Sequence, residues 1–340
     1  MKGSVVIFDT LAGRSAAARI VDGRLEDLLV DPPDEVIRPG AIYRARAKRQ
    51  MKGRGGMVME TPDGPLFLRG VKGVSEGETL LVQVSSYAED GKASPCSARL
   101  LFKSRFALVT PGAAGLNISK AIKDEEARVA LREILAELDV PEDVGVVVRT
   151  AAADADEEAV FADIQSMLEL ARDVICEGAD GPVEKLLEGP GAEDLALRDW
   201  PAPDATEDGG FEAAGVLDAL DALQGREDVA GGGYFYVEPT RALVSVDVNT
   251  GNDTSPAAGL KATIESLRAL PRVLRLRGLG GQIVIDCAPF PKKNRKQVES
   301  VIRAAFRTDG IETSFVGWTP LGHIELIRKR ERLPLPDLGT

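Results

Sequence analysis

Hydrophobic and polar positions fall into two regimes along the chain. The first hundred residues carry short apolar runs cut by turn residues, the pattern of β-strands. Val5 to Phe8 reads as one strand, and Ala16–Val21 and Leu25–Val30 flank Asp22-Gly23, a two-residue turn that predicts a hairpin. Asp31-Pro32-Pro33 marks a boundary. From Val36 to about Leu101, short strands at 41–43, 56–59, 65–68 and 79–84 alternate with glycine turns and predict a small closed β-barrel. The period then lengthens. Residues 118–138, opened by Asp124-Glu125-Glu126, and 157–176 are expected as helices around a buried strand run at 145–150. Residues 177–212, rich in Gly, Pro, Asp and Glu, are looser, with a short strand near 186–189 and a helix near 194–200. Beyond them, strands at 234–237, 242–248, 282–286 and 312–315 alternate with helices at 259–277 and 295–306, and a last element covers 323–330. That alternation predicts an α/β sheet covered by helices.

Composition narrows the chemistry. No apolar run is long enough for a membrane-spanning helix, and the N-terminal one, broken by Asp9, is too short for a signal peptide. Three widely separated cysteines, Cys96, Cys176 and Cys287, suit a reduced cytoplasmic protein. A single histidine excludes poly-His metal sites and disfavours a Ser/His/Asp triad, so carboxylates must carry any chemistry. His323 itself reads as structural. The net charge of −12 is unevenly spread: residues 1–150 carry +1, 151–240 carry −19 and 241–340 carry +6. The acidic total therefore does not oppose an anionic partner, because phosphates respond to local fields.

Two constellations stand out. Asp247 and Asn249 are two apart on one strand and share a face. Asp286 ends a second strand reached through a helix, a crossover that makes the strands parallel and brings both acids to the carboxyl edge of the sheet. Two carboxylates and an amide oxygen suit Mg²⁺, although an aspartate ending a strand also serves simply to cap a turn. The other constellation is basic: Arg38, Arg44, Arg46, Lys48, Arg49, Lys52 and Arg54 run without an acid through the expected barrel, which also carries Tyr43 and Phe67. Cations for phosphates and rings for bases suit single-stranded nucleic acid; such a run also serves as a solvated face. Arg275 and Arg277, just before Gly278, read as cations complementing a helix dipole at a glycine stop. Neither Gly231-Gly232-Gly233 nor Gly91-Lys92 has the spacing of a phosphate loop.

Two long blocks, Val237–Gly251 and Leu274–Asp286, resemble the catalytic core of the ribonuclease E/G family in order and spacing. Pro39–Tyr43 through Lys92 is similar to that family's OB-fold RNA-binding module, and Gly145–Ala151 to its sensor of a 5′-terminal phosphate. The resemblance implies an α/β protein of several subdomains. Residues 1–35 and about 178–222 would form a non-catalytic RNase H-like part, with an OB-fold at 36–100 and a 5′-sensor at 101–177 inserted between them. A DNase I-like α/β catalytic subdomain would cover 223–340. It implies Asp247 and Asp286 as Mg²⁺ ligands and Asn249 as the residue orienting the scissile phosphate. Arg149 and Thr150 would contact a 5′-monophosphate, and Phe67 and Lys92 would hold RNA on the barrel beside Tyr43, Arg46, Lys48 and Arg49. The implied activity is Mg²⁺-dependent endonucleolytic hydrolysis of single-stranded RNA to 5′-phosphate and 3′-hydroxyl ends, in cytoplasmic RNA processing or decay. The rival is an RNA-binding protein of the same fold with little or no nuclease activity. Three positions depart from the family pattern: Arg241 stands for a glutamate, Met57 for a stacking aromatic and Gly310 for a phosphate-binding arginine. The sequence stops at Thr340, before the family's Cys-Pro-x-Cys zinc link, so no zinc and no zinc-linked oligomer are expected.

Overall fold

In the computed structural model, which describes residues 3–51, 55–70, 73–89 and 91–336, the chain leaves a first unit at Asp31. It builds a second from Pro32 to Ala202 and returns at Pro203 to complete the first. The opening meander is β1 (Ser4–Leu11), β2 (Arg14–Val21) and β3 (Arg24–Val30). Asp22 (φ 49°) and Gly23 (φ 79°) both take the left-handed conformation of the turn that matches strand twist, so the hairpin read from sequence forms.

The second unit starts with β4 (Ile42–Met51), β5 (Gly56–Glu60), β6 (Leu66–Arg69), β7 (Thr79–Val84) and β8 (Ser94–Ser97). Their order is β4-β5-β6-β8-β7, and β7 pairs back onto β4, closing a five-stranded, OB-like barrel. Tyr43, Ala45, Ala47, Met57, Met59, Leu66, Leu68, Val82 and Val84 alternate inward and fill it. Lys52 and Arg54 of the basic run lie outside the described residues. A second core joins a four-stranded sheet to two helices. The sheet is β9 (Phe102–Lys103), β10 (Ala107–Pro111), β11 (Gly115–Ile118) and β12 (Val144–Val148), in the order β11-β12-β10-β9. The helices are α1 (Glu125–Glu137) and α2 (Glu157–Gly178). Helix α1 starts seven residues later than the apolar spacing suggested, where the Asp124 carboxylate caps it by accepting from the Glu126 N–H at 3.0 Å. The residues before it, 115–118, become an edge strand parallel to β12. The unit ends with β13 (Glu184–Leu187), antiparallel to β4, and α3 (Ala192–Asp199).

On the return, β14 (Ala205–Asp208) lies parallel beside β1. The Asp9 carboxylate accepts from the backbone N–H of Gly210 (2.8 Å) and Phe211 (3.0 Å) and holds the segment there. Helix α4 (Val216–Ala222) follows, then β15 (Glu227–Asp228), β16 (Tyr234–Pro239), β17 (Val244–Asn249), α5 (Ala258–Leu276), β18 (Gly281–Asp286), α6 (Arg295–Arg307), β19 (Thr313–Trp318) and β20 (Ile324–Arg328). The sheet order is β15-β16-β17-β18-β20-β19; β17 and β18 are parallel and the other pairs antiparallel. Alternate residues on β16 to β20 join α5 and α6 in one core, leaving the other sheet face open. Gly278 ends α5 at φ +63°, where a Cβ would stand 1.8 Å from the Leu333 carbonyl oxygen, so only glycine fits. Arg275 does more than complement the helix dipole: it joins buried Asp309 and Asp27, which also pair with Arg328 and Arg332 respectively. Arg277 donates to the Val237 carbonyl. The protein is thus mixed α/β, and among the described residues no helix is long and apolar enough to cross a membrane.

Candidate active site

The crossover through α5 puts β17 and β18 side by side and parallel, with Asp247 directly opposite Asp286 at their carboxyl ends. Neighbouring strands lie about 4.8 Å apart, so the two carboxylates project as a pair. Both are exposed, because Val246, Val248 and Ile285 take the buried positions between them. Asn249, on the same face, donates through Nδ2 to Asp247 Oδ2 at 2.9 Å and fixes that carboxylate's orientation.

A fourth side chain reaches this group. Strand β20 runs antiparallel to β18 with Ile324 opposite Ile285, which brings His323 beside Asp286; His323 Nδ1 lies 3.2 Å from Asp286 Oδ1. The contact is a close approach that becomes an ion pair when the imidazole is protonated. Sequence reading set His323 aside as structural. Its signal was being the one histidine of the chain, but nothing local in the sequence pairs β20 with β18. The thiol of Cys287, next to Asp286, is pushed up to about 12 by burial and then by the Asp286 charge, and stays protonated.

Among the described residues no group of three or more His, Cys, Asp or Glu converges as a metal cage. The donor set is therefore two carboxylates with solvent in front of them. That set fits Mg²⁺, which keeps several waters and is bound through one or two carboxylates together with substrate phosphates.

The second unit carries the remaining expected residues, and it divides them. Arg46, Lys48 and Arg49 are exposed on β4, with Lys48 2.9 Å from Glu60. Phe67 lies half-buried on the barrel's outer face with its ring over Gly56, where a Cβ would come within 2.5 Å of it. Lys92 is exposed and pairs with Glu89. Tyr43 is a correction: it is 0% exposed in the barrel core, and its hydroxyl donates to Asp63 at 2.7 Å. Burial, then the Asp63 carboxylate, keeps the phenol protonated far above its ordinary range. No base can reach that ring. The cause is strand periodicity, since position 43 shares the inward set with Ala45 and Ala47. Met57 also faces inward, so its departure from the family pattern alters the core and not the outer face. Arg44 is buried too. It donates to the carbonyls of Glu177, Gly178 and Pro182 and pairs with Glu184, anchoring the end of α2.

Arg149 and Thr150 line a cavity of about 770 Å³ together with Arg105, Ser119, Arg198 and Asp199. Arg149 donates to Asp199 Oδ1 at 2.8 Å and to the carbonyls of Ser104 and Arg198, and Thr150 Oγ1 stands 3.3 Å from Ser119 Oγ. Burial works against ionisation of Asp199, but Arg198 and Lys103 outweigh it and hold that carboxyl well below its usual range. Gly310 belongs to the other unit and faces open space; a Cβ there would meet nothing within 4 Å.

The chain is 28% identical over 305 residues to ribonuclease G of Salmonella typhimurium (strain SL1344), covering 76% of this chain and 61% of the relative. It is 27% identical over 303 residues to ribonuclease G of Escherichia coli (strain K12), covering 76% and 61%. Ribonuclease E of Synechocystis sp. (strain ATCC 27184 / PCC 6803 / Kazusa) is 26% identical over 333 residues, covering 84% of this chain and 49% of the relative. The chain thus spans about half to three-fifths of the length of these relatives. The model of the ribonuclease E/G family matches residues 102–208 and 204–331, and so takes in the cavity, Asp247, Asn249, Asp286 and His323. With most of its length matched in this way, the chain belongs to the ribonuclease E/G family.

Proposed function

We propose that this protein is an endoribonuclease that hydrolyses single-stranded RNA with the help of Mg²⁺, leaving 5′-phosphate and 3′-hydroxyl ends. The observation that carries the proposal is Asp247 opposite Asp286 on adjacent parallel strands, at the edge where α/β sheets present ligands, in a chain of this family. Asp247 and Asp286 would hold the cation, which when bound supplies charge neutralisation at the scissile phosphate and acidifies an attacking water. Asn249 keeps Asp247 in orientation and stands ready to position the phosphate. His323 holds Asp286 from the other side. Hydrolysis by water needs no 2′-hydroxyl nucleophile, hence the 5′-phosphate and 3′-hydroxyl ends.

On the same reading, the barrel at 36–100 is an OB-fold RNA platform using Arg46, Lys48, Arg49, Phe67 and Lys92. Its support is three exposed cations on one strand with an outward ring nearby. Residues 101–177 would form the 5′-sensor, with Arg149 and Thr150 at a cavity whose largely apolar wall also carries Arg105 and Arg198. Residues 1–35 and about 178–222 would be the RNase H-like part, of which the segment from 203 onward joins residues 1–31 in one unit, and 223–340 the DNase I-like catalytic part.

The test is cleavage of an end-labelled single-stranded RNA by purified protein, in Mg²⁺ or in EDTA. Asp247→Asn and Asp286→Asn each remove one ionised ligand at constant shape, and each should lower kcat by at least a hundredfold while the fold stays intact. Activity within about tenfold of wild type, roughly 1.4 kcal/mol of transition-state stabilisation, defeats the metal assignment. Binding without any cleavage would instead support an RNA-binding protein that lacks the activity.

A further inference from the structure

The open face of the six-stranded sheet carries an aromatic feature that the metal chemistry leaves unused. Tyr234 and Tyr236 are two apart on β16 and point to the same side as the carboxylate pair. The register places Tyr236 directly opposite Asp247 and Tyr234 directly opposite Asn249. Side chains so opposed have Cβ atoms about 5 Å apart, so the Tyr236 ring borders Asp247. The two rings meet edge to face, with centroids 5.7 Å apart and planes at 83°. The Arg226 guanidinium lies over Tyr234, 4.8 Å from its centroid, and is itself held by Asp228 at 3.1 Å. Tyr234 is thereby braced on two sides, and Tyr236 is left 39% exposed.

The chain has only four tyrosines, and two of them form this step beside the site. Burial does not account for Tyr236, since the hydrophobic core lies on the opposite face of its strand. A protein-docking patch fits poorly as well. The exposed apolar side chains Ile327 and Val316 stand on β20 and β19. Between them and Tyr236 lie β17 and β18, which present Ser245, Asp247, Asn249, Gln282 and Asp286 on that face around a half-buried Val284. A single exposed ring set among polar groups matches a ligand with a flat π-face and polar edges.

We infer that Tyr236, braced by Tyr234 and Arg226, is a stacking platform for the nucleobase of a nucleotide flanking the scissile phosphate. The inference rests on the nuclease reading for the position of that phosphate, and it assigns base recognition to the catalytic sheet itself as well as to the barrel. The platform tolerates any base, because every base offers a π-face. It sets the register in which RNA crosses the two carboxylates.

The experiment separates the platform from the cleavage. Binding of a short single-stranded RNA is measured in EDTA by fluorescence anisotropy, and kcat and KM are measured in Mg²⁺, for wild type, Tyr236→Val and Tyr236→Phe. Valine keeps a β-branched side chain suited to the strand but removes the ring. Tyr236→Val should weaken binding in EDTA about tenfold, the loss of one base stack, and raise KM more than it lowers kcat. Tyr236→Phe should keep wild-type affinity. An abasic substitution scanned along the RNA should find one position where wild type loses affinity and Tyr236→Val loses nothing further. Wild-type affinity in Tyr236→Val, or an equal loss at every abasic position, overturns the platform. A change in oligomeric state without a change in RNA affinity overturns it in favour of a protein interface. Ring-dependent binding by a wild type that never cleaves would uphold the platform and reject the nuclease reading.

Discussion

Replacing His323 by leucine isolates a single contact of the carboxylate pair. In wild type, Nδ1 stands 3.2 Å from Asp286 Oδ1. An ion-pair contact at a protein surface contributes about 0–1 kcal/mol. Here the histidine side chain is 30% exposed and the aspartate 65%, so solvent competes at both ends and about 1 kcal/mol is the appropriate scale. Loss of a group that orients a metal ligand typically weakens metal binding tenfold or more, and partial exposure places this case at the low end. His323→Leu should therefore bind the cation about five- to tenfold more weakly. His323→Asn should remain near wild type, because the asparagine Nδ2 can occupy the position of the imidazole Nδ1. The assay is direct titration with Mn²⁺ as a paramagnetic stand-in, counting free ion by electron paramagnetic resonance without RNA. Cleavage at saturating Mg²⁺ should recover most of the wild-type kcat, since the contact sets affinity and not the chemical step. Unchanged thermal midpoints exclude misfolding. A leucine variant that binds Mn²⁺ like wild type, or an asparagine variant as weak as leucine, refutes the argument that His323 holds Asp286.

Asp27 is buried, and although burial opposes its ionisation, Arg332 and Arg275 outweigh that and depress its pKa. Asp27→Asn should destabilise the first unit by about 1.5–3 kcal/mol in chemical denaturation by removing the charged partner of half-buried Arg332 and Arg275. Because the folded value lies below the unfolded one, the aspartate's contribution is full above about pH 4 and disappears as pH falls through the folded value, and the variant should lose that acid-side slope. Simultaneous Arg46→Ala, Lys48→Ala and Arg49→Ala should weaken RNA binding and flatten the log–log salt dependence by about two, less than three full contacts because Glu60 already meets Lys48. A slope indifferent to the substitutions removes this strand from the RNA surface. Tyr43→Phe should leave RNA affinity unchanged and cost about 1 kcal/mol of stability from the lost bond to Asp63; a weakened RNA complex would contradict its placement in the core.

The fold was legible where local chemistry decides it. Asp22-Gly23 demands left-handed backbone and so commits the hairpin, and the closely spaced strands and glycine turns of residues 36–101 announce the barrel. The 118–138 helix was misread at its start because Ile118 and the residues before it extend the apolar pattern. The cap at Asp124 and the pairing of 115–118 with β12 prevail, and the second of these is non-local. The final element, expected only as something regular, is a strand because β18 and β19 leave a slot between them, a property of the sheet and not of residues 324–328.

The site was legible to a different depth in each unit. A helix between two strands implies a right-handed crossover and parallel neighbours, so Asp247 and Asp286 could be brought together on paper. No comparable rule connects β20 to β18 or β16 to β17 in a given register, and so His323 beside Asp286 and Tyr236 beside Asp247 required coordinates. The barrel error has the same root in reverse. Composition alone placed Tyr43 on the RNA surface and Arg44 in the basic run beside it. Period-two alternation, with Ala45 and Ala47 marking the inward set, already excluded Tyr43, whereas Arg44 points outward and is covered only because the end of α2 and residues 182–184 close over it. A charged or aromatic residue on a strand becomes a binding residue only after two conditions are met, that it lies on the outward phase and that no later segment packs upon it. The first condition can be read from the sequence; the second depends on contacts between residues more than a hundred positions apart.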